Sequence, residues 1–515
     1  MIFCLCDLSG QKHTIRSRNG KYVSLSDTIM VNVSIFVLFC IFGAAFAGRS
    51  FWRGRSLDDF HGDNLYLKQG ETLPSEEWFV QQTDPYDPSD NKTFNQRYYS
   101  SSEFFKAKDG PVFLLIGGSG AASPRWMVEG AWLRYATEFG ALCIYIEQRF
   151  YGKSHATTTT TIRQLPIFSS EIALTDLGLF IASMQKKYNL TEKNRWIVFG
   201  GGYAGSMAAW MRVKFSHLVH GAVSSSSPIL SKMDFREYYA VVADNILDCR
   251  VSVQEAFSEF ERQLQSSSGK TSLVEQFRLC DPLEDSNNLD TSNLFENLAS
   301  IFARVVQYSR TPYAKHSVKE VCGIMTDEEH GSPLDRLARL HRMFLEEDGD
   351  TCLDYKYDKM IQYLQGETWD SPSLQDGNRQ WFFQLCREFG FFQTSNNASH
   401  VFGNHFDLDY FLKQCTDVFG EKLSRVNLEK NVYNDYVIYG GPNIKASNTI
   451  YIYGSSDPWH PLGLTETNFA GAQTIFIRGT GHCADMYEPK DDDLPELKKA
   501  RSQIREFIAE LLNQN

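Results

Sequence analysis

The sequence lacks several features that would place it in common functional classes. It contains no pair of cysteines separated by two residues, which argues against a zinc site. Its apolar run at residues 35–47 is shorter than the roughly 20 residues that a membrane-spanning helix needs. The formal net charge of −12 at pH 7 is not typical of a nucleic-acid-binding protein. We therefore expect no metal, no cofactor and no nucleic-acid partner.

The short apolar run is instead typical of a secretory signal. It ends in Ala-Phe-Ala (45–47), the small-x-small pattern after which signal peptidase cuts. We interpret it as a signal peptide that begins at Met30, with residues 1–29 as an upstream extension. The alternative is a signal anchor, in which the basic residues before the run form a cytoplasmic flank. The first interpretation predicts a secreted or lysosomal protein without a stable membrane span after cleavage.

Cysteine usage fits the secretory route. Eight of the eleven cysteines follow residue 47, and six of these lie between 249 and 415. In a secreted protein such a cluster predicts up to three disulfides, whose pairing the sequence leaves open. Glycosylation sequons occur at Asn91, Asn189 and Asn397. The mature protein is thus expected to be a disulfide-bonded glycoprotein.

The order of the apolar segments predicts an α/β fold with a mostly parallel sheet and helices on both faces. The segment that ends at Tyr99 carries clusters of Pro, Asp and Asn, and we interpret it as hairpins that precede the main sheet. After it, unbroken apolar runs, which are typical of buried parallel strands, alternate with a helical segment. From 233 to 419 the pattern is helical, without a convincing buried strand, and we interpret this part as an inserted cap. The predicted strands are 111–116, 141–146, 219–224, 449–453 and 474–477, together with a short strand at the start of 195–210, and the main helices are 171–188 and 494–512.

This pattern divides the chain into four parts. Residues 1–47 are the signal with its extension, and 48–230 form the first part of the hydrolase domain. The helical, disulfide-bearing cap covers 231–420, and 421–515 completes the hydrolase domain. The expected fold is therefore an α/β-hydrolase with an inserted cap.

In the stretch 195–210, a short buried strand leads into a helix through a glycine-rich corner. This arrangement predicts a nucleophile elbow, where the backbones of strand and helix nearly touch and the central side chain enters the active site. Gly200, Tyr203 and Gly205 flank the corner, but the central position holds Gly202. A nucleophile is therefore missing from the position where the pattern requires one.

An acid and a base are expected after later strands of such a fold. Asp457 follows the predicted strand 449–453, and His482 follows 474–477, so both occur in the expected chain order. His460 is a rival base, although it lies too close to Asp457 in sequence to come from a strand end of its own. The oxyanion hole would use the backbone amides of Tyr203 and Gly118.

These motifs resemble a known family. The chain is similar to the serine peptidases that include lysosomal Pro-Xaa carboxypeptidase, dipeptidyl peptidase II and thymus-specific serine protease, and most similar to the last type. The resemblance implies an α/β-hydrolase with a helical cap that cleaves peptides at proline from one end. The matching blocks are 113–118 with 122–124, 147–152, 201–210, 380–390, 457–459 and 481–485.

The resemblance also assigns roles. It places Asp457 and His482 at the acid and base positions, and it makes Trp381 and Trp459, which lie in two of the blocks, the substrate-binding candidates. Two departures stand out: the family's Glu-His-Arg is Glu-Gln-Arg here, with Gln148 at its centre, and its serine nucleophile is replaced by Gly202.

Three functions are compatible with these residues. The first is an inactive peptidase homologue that retains a pocket for proline-containing peptides. Inactivity is expected because removing a nucleophilic serine costs on the order of a millionfold in turnover. The second is an active carboxypeptidase or dipeptidyl peptidase that uses another nucleophile; Ser206 and Ser224 to Ser227 are the candidates. The third is a structural or partner-binding glycoprotein. A homodimer is left open in each case.

Overall fold

The computed structural model describes residues 15–16, 22–23, 51–53, 55–56, 72–396 and 400–513. The chain divides into two units, Met1–Ala47 and Gly48–Asn515. In the first unit, β1 (Ile15–Arg16) pairs antiparallel with β2 (Tyr22–Val23). The predicted signal sequence from Met30 to Ala47 and the sequon at Asn397 lie outside the described residues.

The second unit is built on an eight-stranded sheet with the order β14-β13-β10-β9-β7-β8-β6-β5. The pairs from β14 to β8 are parallel, whereas β6 pairs antiparallel with both β8 and β5. The strands are β5 (Glu77–Gln82), β6 (Thr93–Ser101), β7 (Val112–Ile116), β8 (Leu142–Ile146), β9 (Trp196–Gly201), β10 (Gly221–Ser225), β13 (Thr449–Gly454) and β14 (Ala472–Ile477). Smaller two-stranded pairs join β3 (Phe51–Trp52) to β4 (Arg55–Ser56) and β11 (Lys232–Asp234) to β12 (Gly390–Phe392).

The central strands are buried on both faces, which explains their unbroken apolar sequences. In β7, Val112, Leu114 and Ile116 belong to one hydrophobic cluster. Phe113 and Leu115, which point to the opposite face, belong to a second. Helices cover both clusters, so the predicted mostly parallel α/β sheet is confirmed.

The helices surround this sheet and fill the long segment between β11 and β13. α1 and α15 pack on the second cluster, and α2 and α3 pack on the first. A π-helical turn, Leu385–Phe389, follows α12. The α-helices are α1 (Ala131–Phe139), α2 (Ser170–Lys187), α3 (Tyr203–Lys214), α4 (Glu237–Asn245), α5 (Arg250–Gln263), α6 (Ser267–Gln276), α7 (Asn288–Gln307), α8 (Val318–Thr326), α9 (Pro333–Glu347), α10 (Tyr357–Leu364), α11 (Pro372–Gln375), α12 (Asn378–Gln384), α13 (Leu408–Phe419), α14 (Arg425–Tyr439) and α15 (Pro495–Asn513).

The inserted helical segment carries the disulfides. Cys249 pairs with Cys322, Cys280 with Cys352, and Cys386 with Cys415. The prediction of up to three disulfides between 249 and 415 is confirmed, and the structure supplies the pairing that the sequence left open. Cys143 and Cys483 are buried free thiols.

Two expectations about strands were wrong. The hairpin formed by β5 and β6 does not precede the main sheet but forms its antiparallel edge. The helical segment also contains a buried strand, β12, which pairs in parallel with β11. A strand of three residues is too short for the period-two alternation that would reveal it in the sequence.

Within the described part of the chain, no helix combines the length and apolar character needed to cross a bilayer.

Candidate active site

The tight corner between β9 and α3 depends on three glycines. Gly202 joins the strand to the helix with φ 56° and ψ −126°, a backbone conformation that residues other than glycine rarely adopt. A Cβ on Gly200 would lie 2.1 Å from the carbonyl oxygen of Ala204, and one on Gly205 would lie 2.7 Å from that of Ser225. The flanking glycines are thus required by close backbone contacts, and the corner has the shape of a nucleophile elbow.

Asp457 and His482 meet beside this corner. They follow β13 and β14, and His482 Nδ1 lies 3.0 Å from Asp457 Oδ1. The Asp457 side chain is fully buried, and its Oδ1 also accepts a hydrogen bond from the backbone N–H of Trp459 at 3.0 Å. This bond fixes the carboxylate in the orientation that contacts the imidazole.

The charge on Asp457 controls the titration of His482. Burial by itself lowers the pKa of the imidazole, but the Asp457 carboxylate, the neighbouring Cys483 and the hydrogen bonds to both together outweigh burial and raise the pKa well above its ordinary value. The contact with Asp457 therefore stabilises the protonated ring of His482. A general base passes through this protonated form after it has accepted a proton from the nucleophile.

The second ring nitrogen of His482 faces the elbow. A Cβ built on Gly202 would lie 3.1 Å from His482 Nε2. The three predicted positions, 202, 457 and 482, therefore converge. The rival base His460 does not join them, because its Nδ1 contacts the backbone oxygen of Asp457 at 2.8 Å rather than the carboxylate.

The backbone amides predicted for the oxyanion hole lie at the same cavity. Tyr203 is the first residue of α3, so its N–H has no acceptor within the helix, and it lines the cavity together with Gly118. The loop that carries Gly118 is anchored by Gln148, whose Nε2 donates to the carbonyl oxygen of Gly117 at 2.5 Å. The departure at Gln148 thus places an amide donor against this loop.

The candidate substitute nucleophiles are engaged elsewhere. Ser206 is fully buried in α3, and its hydroxyl donates to the carbonyl oxygen of Pro228 at 2.8 Å. The hydroxyls after β10 also have partners other than His482: Ser224 contacts Gly205 and Ser227, Ser225 contacts Asp485, Ser226 accepts from the Cys483 amide, and Ser227 also contacts Tyr453.

The cavity has a volume of about 120 Å³, several times the roughly 10–15 Å³ that one water molecule requires. Both predicted substrate-binding residues line it: the rings of Trp381 and Trp459 are 6.5 Å apart in a T-shaped arrangement. Other lining residues that sequence reasoning missed are Arg55, Trp126, Tyr308, Cys483, Met486 and Tyr487. Arg55, Trp126 and Tyr308 lie far from the predicted site residues in the sequence, and no local motif marks them, whereas Cys483, Met486 and Tyr487 follow His482 within five residues.

Gln307, at the end of α7, is a further residue that the sequence did not reveal. Its backbone oxygen accepts the N–H of His482 at 2.7 Å. Its side-chain oxygen accepts hydrogen bonds from Trp459 Nε1 at 3.0 Å and from Tyr238 at 2.7 Å. One residue of the helical segment therefore contacts the loops of both the acid and the base.

A family model and several known proteins match the sequence of this chain. The family model described as serine carboxypeptidase S28 matches residues 81–504. The chain belongs to this peptidase family. It is 34% identical over 446 residues to the human thymus-specific serine protease, covering 84% of this chain and 85% of that protein.

More distant relatives extend the match. The mouse thymus-specific serine protease is 32% identical over 466 residues, with 88% of this chain and 89% of that protein covered. The mouse lysosomal Pro-X carboxypeptidase is 24% identical over 461 residues, with 84% and 90% covered. The predicted resemblance is confirmed, and the fold of this S28 family member is that of an α/β-hydrolase.

Proposed function

We propose that this member of the serine peptidase family binds short peptides that contain proline but does not hydrolyse them at a significant rate. The observation that carries the proposal is the 3.1 Å between His482 Nε2 and a Cβ built on Gly202. A serine hydroxyl at this position would lie beside the base, whereas glycine offers no atom that can attack a carbonyl carbon.

The engagement of the other serines supports the absence of a replacement. Ser206 sits within α3, one helical turn beyond the corner, and donates to Pro228. A nucleophile needs a base within hydrogen-bonding distance, and these hydroxyls form their hydrogen bonds with residues other than His482.

The walls of the cavity support a peptide ligand. Trp381 and Trp459 present aromatic surface, and the family's Pro-X carboxypeptidase is named for a proline-containing substrate. An aromatic wall suits the compact apolar ring of proline, and the adjacent amides of Gly118 and Tyr203 suit a peptide carbonyl. In this proposal the cap, residues 231–420, shapes the pocket between 48–230 and 421–515.

The proposed compartment is the secretory pathway, either secreted or lysosomal. Three disulfides are typical of an oxidising compartment. The sequons at Asn91 and Asn189 are exposed, as glycosylation requires.

Two measurements on the purified protein test the proposal. A fluorophosphonate probe should fail to label it, since capture requires an activated serine; labelling would instead support an active peptidase. Isothermal titration calorimetry should detect binding of the peptide acetyl-Ala-Pro-Phe to the protein, and replacing proline by alanine in this peptide should weaken the binding. If neither peptide binds, the third function, a structural or partner-binding glycoprotein, is favoured.

A further inference from the structure

The outer face of α14 carries a stripe of exposed apolar side chains. Val426, Tyr433 and Val437 are 71%, 67% and 63% exposed, and the neighbouring Tyr436 is 40% exposed. Single exposed apolar residues are common on protein surfaces, whereas a contiguous group of them marks an interaction site. Four such residues on one helix of 15 residues form a contiguous group. We therefore asked which partner fits this stripe.

The spacing along the stripe is that of a coiled-coil seam. Val426, Lys430, Tyr433 and Val437 follow one another at intervals of four, three and four residues, so they occupy alternating d and a positions of a heptad. Residues at this spacing share one face of a helix. The opposite face packs inside the chain, where Leu428 is buried. A helix that packs on the exposed face would complete the seam.

The seam is complementary to a second copy of itself in the antiparallel direction. When two α14 helices pair about a two-fold axis between residues 431 and 432, Val426 of each copy lies opposite Val437 of the other, and Lys430 lies opposite Tyr433. The first layer joins two apolar side chains, and the second places an ammonium group against an aromatic ring, which attracts it. A parallel pair would instead place Lys430 against Lys430, where the like charges repel.

The residues beside the seam fit the same arrangement. Glu429 and Tyr436 flank one side and lie opposite each other across the axis. The Tyr436 hydroxyl accepts a hydrogen bond from Asn443 Nδ2 at 2.9 Å, and its proton can donate to the Glu429 carboxylate of the second copy. Asn427 and Asn434, both exposed, flank the other side, where their amides can hydrogen-bond to each other.

We propose that α14 is a self-association surface, through which two copies of this chain form an antiparallel two-fold dimer. The inference goes beyond the proposed function and does not depend on it, because no α14 residue is among the described residues that line the peptide cavity. A seam about 22 Å long buries less than the roughly 800 Å² per partner of a standard interface. The dimer should therefore dissociate reversibly, with a dissociation constant on the order of 1–100 μM.

Sedimentation velocity of the intact protein tests for the dimer. Over a dilution series from about 1 to 100 μM, the weight-average sedimentation coefficient should rise from that of a monomer towards that of a dimer. A chain that stays monomeric throughout the series overturns the proposal. Larger species that grow without limit also overturn it, because a two-fold seam is used up once two copies have paired.

Val426→Glu and Val251→Glu are a matched pair of variants that locate the interface. Each valine is the second residue of its helix and follows an arginine, in α14 and α5, and the two are 71% and 68% exposed. Glutamate is favourable in the first turn of a helix, so both variants should fold, as thermal unfolding verifies.

Only the first of these variants should affect the dimer. Val426→Glu places a charge against an apolar partner twice in each dimer, so it should weaken association by roughly a hundredfold, about tenfold for each copy. Val251→Glu should leave association unchanged. If Val426→Glu has no effect, or if Val251→Glu weakens the dimer as strongly, α14 is not the interface and the proposal is wrong.

Cysteine substitutions test the direction of the two helices. In the double variant Val426→Cys/Val437→Cys, antiparallel pairing brings position 426 of one copy beside 437 of the other, so mild oxidation should give a covalent dimer. Within one helix these positions are about 16 Å apart, too far for a disulfide. The native free thiols, Cys143 and Cys483, are buried. Val426→Cys alone should not cross-link, because its two copies also lie about 16 Å apart along the axis. A covalent dimer of the single variant, or none of the double variant, would contradict the antiparallel pairing.

Discussion

The two halves of the candidate site differ in what they retain. In the acid–base half, Asp457 and His482 are in contact at 3.0 Å and are held by bonds to Trp459 and Gln307. In the elbow half, the backbone has the required shape, but position 202 carries no side chain. One half thus contains a carboxylate–imidazole contact, whereas the other has the backbone shape of an elbow without a side chain at its centre.

This difference has an energetic explanation. A side chain at φ 56° and ψ −126° costs of the order of 1–3 kcal/mol, and glycine avoids that strain. Asp457, by contrast, cannot be removed without leaving a buried His482 and a Trp459 N–H without their acceptor. Loss of the nucleophile therefore favours the fold, while loss of the acid would harm it.

Restoring the hydroxyl gives the largest expected effect. Gly202→Ser should produce hydrolysis of acetyl-Ala-Pro-Phe, with a gain that approaches the roughly millionfold factor that removing a nucleophilic serine costs. His482 must yield by a few tenths of an ångström, because a Cβ would lie 3.1 Å from its Nε2. Product release measured by chromatography, together with fluorophosphonate labelling, reports the result.

Gly202→Ala is the matched control for this experiment. It introduces the same Cβ and the same backbone strain without a hydroxyl, so it should lose the same 1–3 kcal/mol of stability and remain inactive. Hydrolysis by the alanine variant would point to another nucleophile or to an activated water. A folded serine variant that binds peptide but stays inactive would mean that the acid–base half is not functional.

Asp457→Asn in the Gly202→Ser protein gives the next largest effect. We expect a loss of roughly 10⁴-fold in kcat, the size found when the triad aspartate of a serine protease is amidated. The raised pKa of His482 should fall towards its ordinary value, because the carboxylate is its largest stabilising partner. NMR titration of the His482 ring can follow this shift.

The sign of the pH dependence follows from the same contact. His482 acts as a base only when neutral, so the rate of the Gly202→Ser protein should increase with pH through the raised pKa. The ion pair with Asp457 stabilises the fold fully below the pKa of an unfolded histidine and loses that contribution as pH rises through the folded pKa. Activity and this part of the stability should therefore change in opposite directions with pH.

Gln307→Leu should have a smaller effect on the acid–base half. It leaves Tyr238 and Trp459 Nε1 without their acceptor, which is expected to cost about 1–3 kcal/mol of unfolding free energy. Its backbone bond to His482 remains, so the Nδ1–Oδ1 contact should persist. Denaturant unfolding measures the first effect, and an unchanged His482 titration checks the second.

The sequence predicted the elbow half and the acid–base half for different reasons. Glycines at 200 and 205 reflect close backbone contacts, and Asp457 and His482 follow strands whose apolar runs are unmistakable. These signals are local. Arg55 and Gln307 reach the site from β4 and from the end of α7, so their contribution depends on tertiary packing that no local pattern encodes. β12 was missed because three residues cannot display a period.

The smallest expected effect concerns a carboxyl group behind the elbow. Glu388 is buried, accepts the N–H of Ser170 at 3.1 Å, and lies near a second buried acid, Asp435, and the elbow residue Tyr203. Burial raises the pKa of Glu388, so its protonated form stabilises the fold at acidic pH, and this contribution is lost as pH rises through the folded pKa. Unfolding free energy should therefore decrease between acidic and neutral pH, by up to about 1.4 kcal/mol per pH unit for one proton.

The variant Glu388→Gln should flatten that slope, whereas Glu421→Gln, which changes an exposed residue, should leave the slope unchanged. An unaltered slope in the Glu388 variant would mean that the ionisation of this carboxyl does not control the stability of the elbow half.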